Sequence, residues 1–150
     1  GEHGHFHVFV RVPDSPAETG NDWAHVVSLA MDVEGQPVCW FAVNRWVTDS
    51  VWLEADILGE LLGGLRPEPG SRLVERWLVA MLAAYHETIC ALLLSRDRRV
   101  QELAADGSRL AVLDDRRFGS LAGQPVDLLA RLTSVLRGES VPVPAGERNL

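Results

Sequence analysis

The sequence predicts an α+β fold, in which an antiparallel sheet of three or four strands packs against helices, including one long apolar central helix. Two observations predict it. Three segments rich in β-branched and aromatic residues, separated by turn-forming residues, occupy the first 44 positions. An apolar helical pattern then runs over residues 72–94. The length of 150 residues is that of one ordinary domain.

The three strands form a predicted meander. The first covers residues 5–12, and a loop rich in proline and other turn residues follows it over residues 13–22. The second strand reads WAHVVSLAMDV and the third reads VCWFAVN, with the turn EGQP between them. Successive strands joined by short turns pair antiparallel.

The helices are predicted from caps and periodicity. The segment TDS at residues 48–50 offers N-caps for the helix VWLEADILGELL, which ends at a Gly-Gly pair. Ser71 caps the central helix, whose pattern extends through the charged residues to about Ala105. Because this helix is apolar on most of its circumference, we expect it to be covered nearly all round.

The last third of the domain is predicted to hold one more strand and one more helix. The strand lies between Leu110 and Leu121, and Pro125 opens the helix. We expect residues 1–137 to form a single domain and residues 138–150 to be a flexible tail. The chain begins inside a strand and without Met, so we expect further sequence upstream.

Composition excludes several classes of function. Fourteen basic residues against 21 acidic ones give a net charge of −7, which repels phosphate backbones and anionic lipids. The chain has no uninterrupted stretch of about 18 apolar residues, the length that would be needed to span a bilayer. We therefore expect a soluble protein that binds neither nucleic acid nor membranes. Two cysteines in apolar runs favour buried thiols in the cytoplasm. The basic run at residues 96–99 is expected to be solvated at a helix end.

Three of the five histidines alternate near the start of the chain, at His3, His5 and His7. Alternation on a strand puts them on one face, together with Phe9 and Arg11. If Arg11 pairs with Trp23 and Val33 pairs with Val38, the same face also carries the apolar or polar side chains of Val27, Leu29, Met31, Trp40, Ala42 and Asn44. The histidines are therefore expected to line a partly buried pocket.

Crowded neutral imidazoles are typical metal ligands, because three charged ones would repel each other. The predicted site is a zinc or iron(II) centre built on His5 and His7, with His3 or Glu2 as the third ligand. His25 is expected opposite Phe9, one residue pair beyond His7, and reaches the site only through a slip or a bulge. A metal-bound water would make the protein a metal-dependent enzyme, which the sequence leaves open.

Further candidates would surround that site. Arg11 lies on its strand, and Trp40 is a candidate pocket wall. Asn44 and Arg45 could orient a ligand or simply serve a turn and a helix cap. If the central helix covers the histidines, His86 or Glu87 faces them; otherwise His86 packs in the core with Cys90.

An alternative function comes from a different class. In it the protein is a non-catalytic domain that binds a small ligand or a partner, and its metal-free histidines hydrogen-bond to one another and to Asn44, Arg11 or Arg45. The expected partner is a small molecule for the non-catalytic domain and a metal ion for the metal centre.

The segments EHGHFHVFVR, NRWVTDS and LLLSRDRRV resemble an uncharacterised bacterial family described only as a domain of unknown function. The resemblance covers roughly residues 2–135. It implies a bacterial source and additional upstream sequence, and it implies no activity.

Overall fold

The computed structural model describes residues 3–12, 22–105 and 107–139. These residues form an α+β fold, which confirms the predicted class. Four strands make one antiparallel sheet in the order β1-β2-β3-β4. The strands are β1 (Gly4–Arg11), β2 (Trp23–Met31), β3 (Pro37–Val43) and β4 (Ser120–Pro125). The first three are the predicted meander, and β4 follows the helices to pair with β3.

Six helices lie within the described residues. They are α1 (Arg45–Thr48), α2 (Ala55–Gly64), α3 (Leu73–Ala84), α4 (His86–Leu103), α5 (Arg109–Leu113) and α6 (Leu128–Arg137). Three predicted details are wrong. The helix expected to start after residue 50 starts at Ala55, part of the strand expected between Leu110 and Leu121 is α5, and Pro125 ends β4 instead of opening a helix. The predicted tail lies mostly in residues 140–150, outside the described residues.

The predicted central helix is two helices, because the chain bends by 75° between α3 and α4. Tyr85 stands at the bend, where its hydroxyl donates to the carbonyl of Asp127 at 3.0 Å and its ring packs on Trp40 at 6.0 Å between centroids. These tertiary contacts outweigh a helical pattern that runs on unbroken. The prediction that this helix is buried on nearly all sides is also wrong for α3, where the side chain of Leu73 is 80% exposed.

No single helix in the described part of the chain is long and apolar enough to cross a membrane. Taken together, α3 and α4 have the length and the apolar composition of a span, but the two helices are bent by 75° relative to each other. Several of their buried residues belong to the core of the domain, namely Met81, Leu82, Ile89, Leu92 and Leu93.

That core lies between the helices and one side of the sheet, which we call the helix face. Its strand residues include Val8, Val10, Leu29, Trp40 and Ala42, and all of them are buried. Leu58 of α2 and the inner side of α4 pack against them. The other side carries His5, His7 and Phe9 of β1 and is called the histidine face.

The basic run at residues 96–99 lies inside α4 and is not fully solvated, contrary to the prediction. Arg96 is only 2% exposed; its Nε and Nη2 donate to Asp97, and Nη2 also donates to the carbonyl of Leu53 at 2.7 Å. Its guanidinium lies 4.0 Å from the centroid of the Trp52 ring. Asp97 also accepts the backbone N–H of Ala55, the first residue of α2. The pair therefore anchors α2 to α4, because a buried charge needs a partner.

Candidate functional site

A β-bulge decides which side chains meet on the histidine face. Arg11 pairs with Trp23 and Phe9 with His25, as predicted, but the register then shifts by one residue. Beyond the shift His7 pairs with Ser28, and Val26 is the extra residue of β2. An extra residue inverts the alternation, so His25 and Ser28 lie on one face although they are three positions apart.

The same shift corrects the predicted surroundings of the histidines. Val27 and Leu29 belong to the buried core of the helix face, and so do Trp40 and Ala42. The second hairpin is tighter than predicted, because the Asp32 carboxylate accepts the N–H groups of Glu34 and Gln36 inside the turn. Leu29 consequently pairs with Trp40, and Phe41 takes the place beside Ser28 on the histidine face.

Three polar atoms form a small triangle on this face. Nδ1 of His7 lies 3.1 Å from Nε2 of His25, and Oγ of Ser28 lies 2.8 Å from the first and 3.0 Å from the second. His25 and Ser28 are buried, whereas His7 is exposed. The triangle is therefore closed on the side of the sheet and open on the side of His7.

The backbone around His25 is held from a second direction. Its N–H donates to Oγ of Ser50 at 3.3 Å, and Ser50 is in turn 2.9 Å from Oγ1 of Thr48. Val51 donates its N–H to the carbonyl of Trp23 and forms a parallel bridge with Ala24. The segment after α1 thus takes the place of β3 beside the start of β2 and fixes the bulge.

Both imidazoles of the triangle resist protonation. Burial lowers the pKa of His25 to about 3, and the nearby charges of His7 and Arg96 add to the effect. Burial, followed by the neighbouring His5, also lowers the pKa of His7. Because both pKa values lie below the ordinary value of 6.5, both rings are neutral near pH 7.

Aromatic rings surround the triangle. His5 meets His7 edge-on, with centroids 4.6 Å apart and ring planes at 87°, and it also packs edge-on against Phe41. Phe9 contacts His25 at 5.3 Å between centroids. His5, His7 and Phe9 are all exposed, so the predicted sheltered pocket is wrong for β1. The physical reason is that the helices cover the other face.

The remaining candidates on β1 do not join the triangle. His3 is exposed, and its N–H donates to the carbonyl of Met31. Arg11 is exposed and pairs with Asp22 at 3.6 Å. Glu2 lies outside the described residues. Within those residues, no group of three His, Cys, Asp or Glu side chains is arranged to hold a metal ion. The three-histidine ligand set on β1 stays a prediction.

Asn44 and Arg45 serve the fold. The amide of Asn44 donates to the carbonyls of Val112 and Phe118, and its oxygen accepts the N–H of Arg45 as the cap of α1. Arg45 pairs with Asp114. This network joins the end of β3 to α5 and to the loop before β4, so the cap role of Asn44 is confirmed, and the ligand-orienting role stays a prediction.

His86, Glu87 and Trp40 lie away from the triangle. α4 packs on the helix face, so its residues cannot face the histidines of β1. Nε2 of His86 lies 3.2 Å from the carbonyl of Gly59 in α2, and Glu87 is exposed. Trp40 is fully buried on the helix face. His86 lies beside Cys90, at 3.9 Å between Nδ1 and Sγ, but both residues are half-buried, so the alternative in which they pack in the core stays a prediction.

Ser28 is the site residue that the sequence analysis missed. It is a polar residue in the middle of the apolar run VVSLA, and it is fully buried. A buried hydroxyl requires a partner, and the histidines were the nearest candidates across the first hairpin. The need of a buried hydroxyl for a partner could have pointed to Ser28. Strict alternation along β2, without the bulge, placed Ser28 on the opposite face.

Comparison with known proteins places the chain in a family without assigning it a function. No curated protein and no solved structure matches it significantly. Residues 1–126 match the model of a family described as Domain of unknown function (DUF6969). The chain therefore belongs to this family of domains of unknown function.

Proposed function

We propose that the protein binds a divalent transition-metal ion on the histidine face, through Nδ1 of His7 and Nε2 of His25. The observation that carries the proposal is their 3.1 Å separation. Two imidazoles that hold one ion at about 2.0 to 2.1 Å have nitrogens about 2.9 to 3.4 Å apart, for ligand angles between those of an octahedron and a tetrahedron. The pair has this spacing already.

The electrostatics of the pair support the same function. A metal ion needs an unprotonated ring nitrogen, and the pKa values of both histidines are lowered. Binding near pH 7 would therefore release few protons from these two rings. Zinc and iron(II) both accept imidazole ligands, so the proposed site suits either metal.

The ligand set differs from the one expected on β1 alone. His25 replaces His5 as the partner of His7, and the hydroxyl of Ser28 lies within 3.0 Å of both nitrogens. His5 stands next to His7 on the exposed side. Further positions around an ion here would face solvent and could hold water. That opening makes a metal-dependent hydrolysis the reaction to look for.

Metal titration tests the proposal. Chelator-treated protein is titrated with zinc by calorimetry and with cobalt(II) by visible absorption. The wild type is expected to bind one ion, and His7→Ala and His25→Ala are each expected to bind at least about tenfold more weakly, as for the loss of one ligand. His86→Ala is the matched control, since it removes a histidine on the other side of the sheet.

Two results would contradict a metal site. One is the uptake of less than about 0.1 equivalent of zinc at a concentration that saturates ordinary structural sites. The other is an affinity that falls equally in the His86→Ala control.

The second candidate is a metal-free binding face, and Ser28 favours it. Its hydroxyl is close enough to donate to one ring nitrogen and accept from the other, which satisfies the buried ring of His25 without an ion. Exposed Phe9 and Trp23 would then offer the contact area. Ser28→Ala separates the two candidates. If the two ring nitrogens are metal ligands, the variant keeps the zinc affinity of the wild type. If no ion binds, the variant only loosens the contact between His7 and His25.

The cytoplasmic location and the bacterial source remain proposals. The cytoplasmic location is supported by the two cysteines, Cys39 and Cys90, neither of which forms a disulfide bond. Cysteines outside disulfide bonds are typical of a reducing compartment.

A further inference from the structure

A groove lies between the end of α2 and α3, on the helix side of the sheet and away from the histidine face. Its volume is about 560 Å³, within the range of small-molecule sites. Leu62, Leu65, Val79 and Leu82 supply apolar walls, and two arginines, Arg66 and Arg76, also line the groove. Among the described residues that line it, none carries a carboxylate.

The helix α3 presents one continuous side to this groove. Arg76, Val79, Ala80 and Ala83 follow each other at spacings of three and four residues, which places them on one helix face. The two alanines leave room between the helices, and both are exposed. Only Met81 and Leu82 of α3 are buried, so this helix carries apolar surface that the described residues leave uncovered.

Arg66 is held in place with donors to spare. Its Nη1 donates to the carbonyls of Gly63 and Leu65 at the end of α2, at 3.0 and 2.6 Å. A guanidinium has five N–H groups, so those on Nε and Nη2 remain for another acceptor. Such a fixed, planar donor matches a carboxylate in bidentate fashion.

Arg76 differs from the arginines that pair with a carboxylate. All 14 basic residues are arginine, and the ion pairs seen within the described residues include those of Arg11, Arg45, Arg96, Arg99, Arg109 and Arg117. Arg76 forms no ion pair with the part of the chain that the structure describes. The groove thus carries positive charge on a protein whose net charge is −7.

A second groove on the other side of His86 provides an internal contrast. It is also largely apolar, with a volume of about 520 Å³, but its charged lining residues are Asp56 and Glu60. The two grooves share Gly63 and His86 and differ in the sign of their charge. An anionic ligand is therefore expected to bind in the groove lined by Arg66 and Arg76 rather than in the acidic one.

We propose that the groove between α2 and α3 binds an amphipathic monocarboxylate. Arg66 and Arg76 take the carboxylate, and the alkyl chain lies on Leu62, Val79 and Leu82. This arrangement neutralises an arginine that has no carboxylate partner among the described residues, and it covers apolar surface of α3. It is independent of the histidine face, which lies across the sheet.

The test is calorimetric titration of the full chain with decanoate below its micelle concentration. One molecule is expected to bind, and octanoate is expected to bind about tenfold more weakly, because each buried methylene contributes a factor of about three to four. Decyltrimethylammonium has the same chain with a positive head and is expected not to bind in this groove.

Variants locate the site. Arg66→Gln and Arg76→Gln are each expected to weaken decanoate binding about tenfold, as for the loss of a charged hydrogen-bonded partner. Arg137→Gln at the end of α6 is the control and keeps wild-type affinity. Because Arg66 also contacts α2, Ala83→Phe provides a second approach: it fills the groove, and it is expected to abolish binding while the circular dichroism spectrum stays unchanged.

Three results would overturn the proposal. They are the absence of saturable decanoate binding, equal binding of the cationic amphiphile, and wild-type affinity in both arginine variants. The readout involves no histidine of the sheet, so its failure leaves the metal proposal standing, and the reverse also holds.

Discussion

The two faces of one sheet have opposite characters in this protein. On the helix face, Leu29 and Trp40 are fully buried beneath α4. On the histidine face, His5, His7 and Phe9 are exposed, whereas the residues of β2 beside them, such as Ser28 and His25, are buried. The difference teaches that alternation sorts side chains into two sets, whereas the packing of the helices decides which set becomes core.

The largest expected effect is on the helix face. Trp40→Ala should lower the free energy of unfolding by about 3 to 5 kcal/mol, because it empties a fully buried site. Phe9→Ala on the histidine face is the matched aromatic truncation, and its cost should stay below about 1 kcal/mol since Phe9 is 37% exposed. Urea unfolding of both variants measures the contrast, and equal costs would show that the histidine face is also core.

A smaller effect is expected from pH. The pKa of His25 is about 3 in the folded protein, below the ordinary value of 6.5, so the unfolded chain binds a proton first as the pH falls. Stability should therefore decrease between pH 6.5 and 3, with a slope of up to about 1.4 kcal/mol per pH unit from this group. The lowered pKa of His7 acts in the same direction.

The measurement is urea unfolding of chelator-treated protein at pH 7 and pH 4.5. His25→Gln removes the titrating group, so the wild type should lose about 2 kcal/mol more than this variant over the interval. Parallel losses in the two proteins would mean that His25 is accessible to protons in the folded state.

The smallest expected effect is at the triangle itself. Ser28→Ala should cost about 1 kcal/mol, because it removes a buried hydroxyl that contacts both ring nitrogens. A double-mutant cycle with His25→Gln should show a coupling energy of about 0.5 kcal/mol or more, as for residues in one hydrogen-bonded network. Strict additivity would mean that the contact between Ser28 and His25 contributes nothing.

Much of the strand arrangement could be predicted and part of the site could not. Alternation put His7 and Phe9 on one face, and the loop length placed His25 opposite Phe9. The bulge at Val26 carries no sequence signal, because two consecutive valines in a strand suit a regular ladder as well as an irregular one. Without the bulge, parity excluded Ser28 and kept His25 one residue pair away from His7.

The sequence by itself determined the α+β class, the meander and the histidine-bearing strand, since these depend on local propensity and on a period of two. Only the tertiary structure decided three things: that the helices cover the face opposite the histidines, that the chain turns at Tyr85, and that the bulge brings His25 to His7. The physical reason is that each of these depends on contacts between residues far apart in the chain. Local patterns are compatible with either outcome, and the packing of the whole domain selects one.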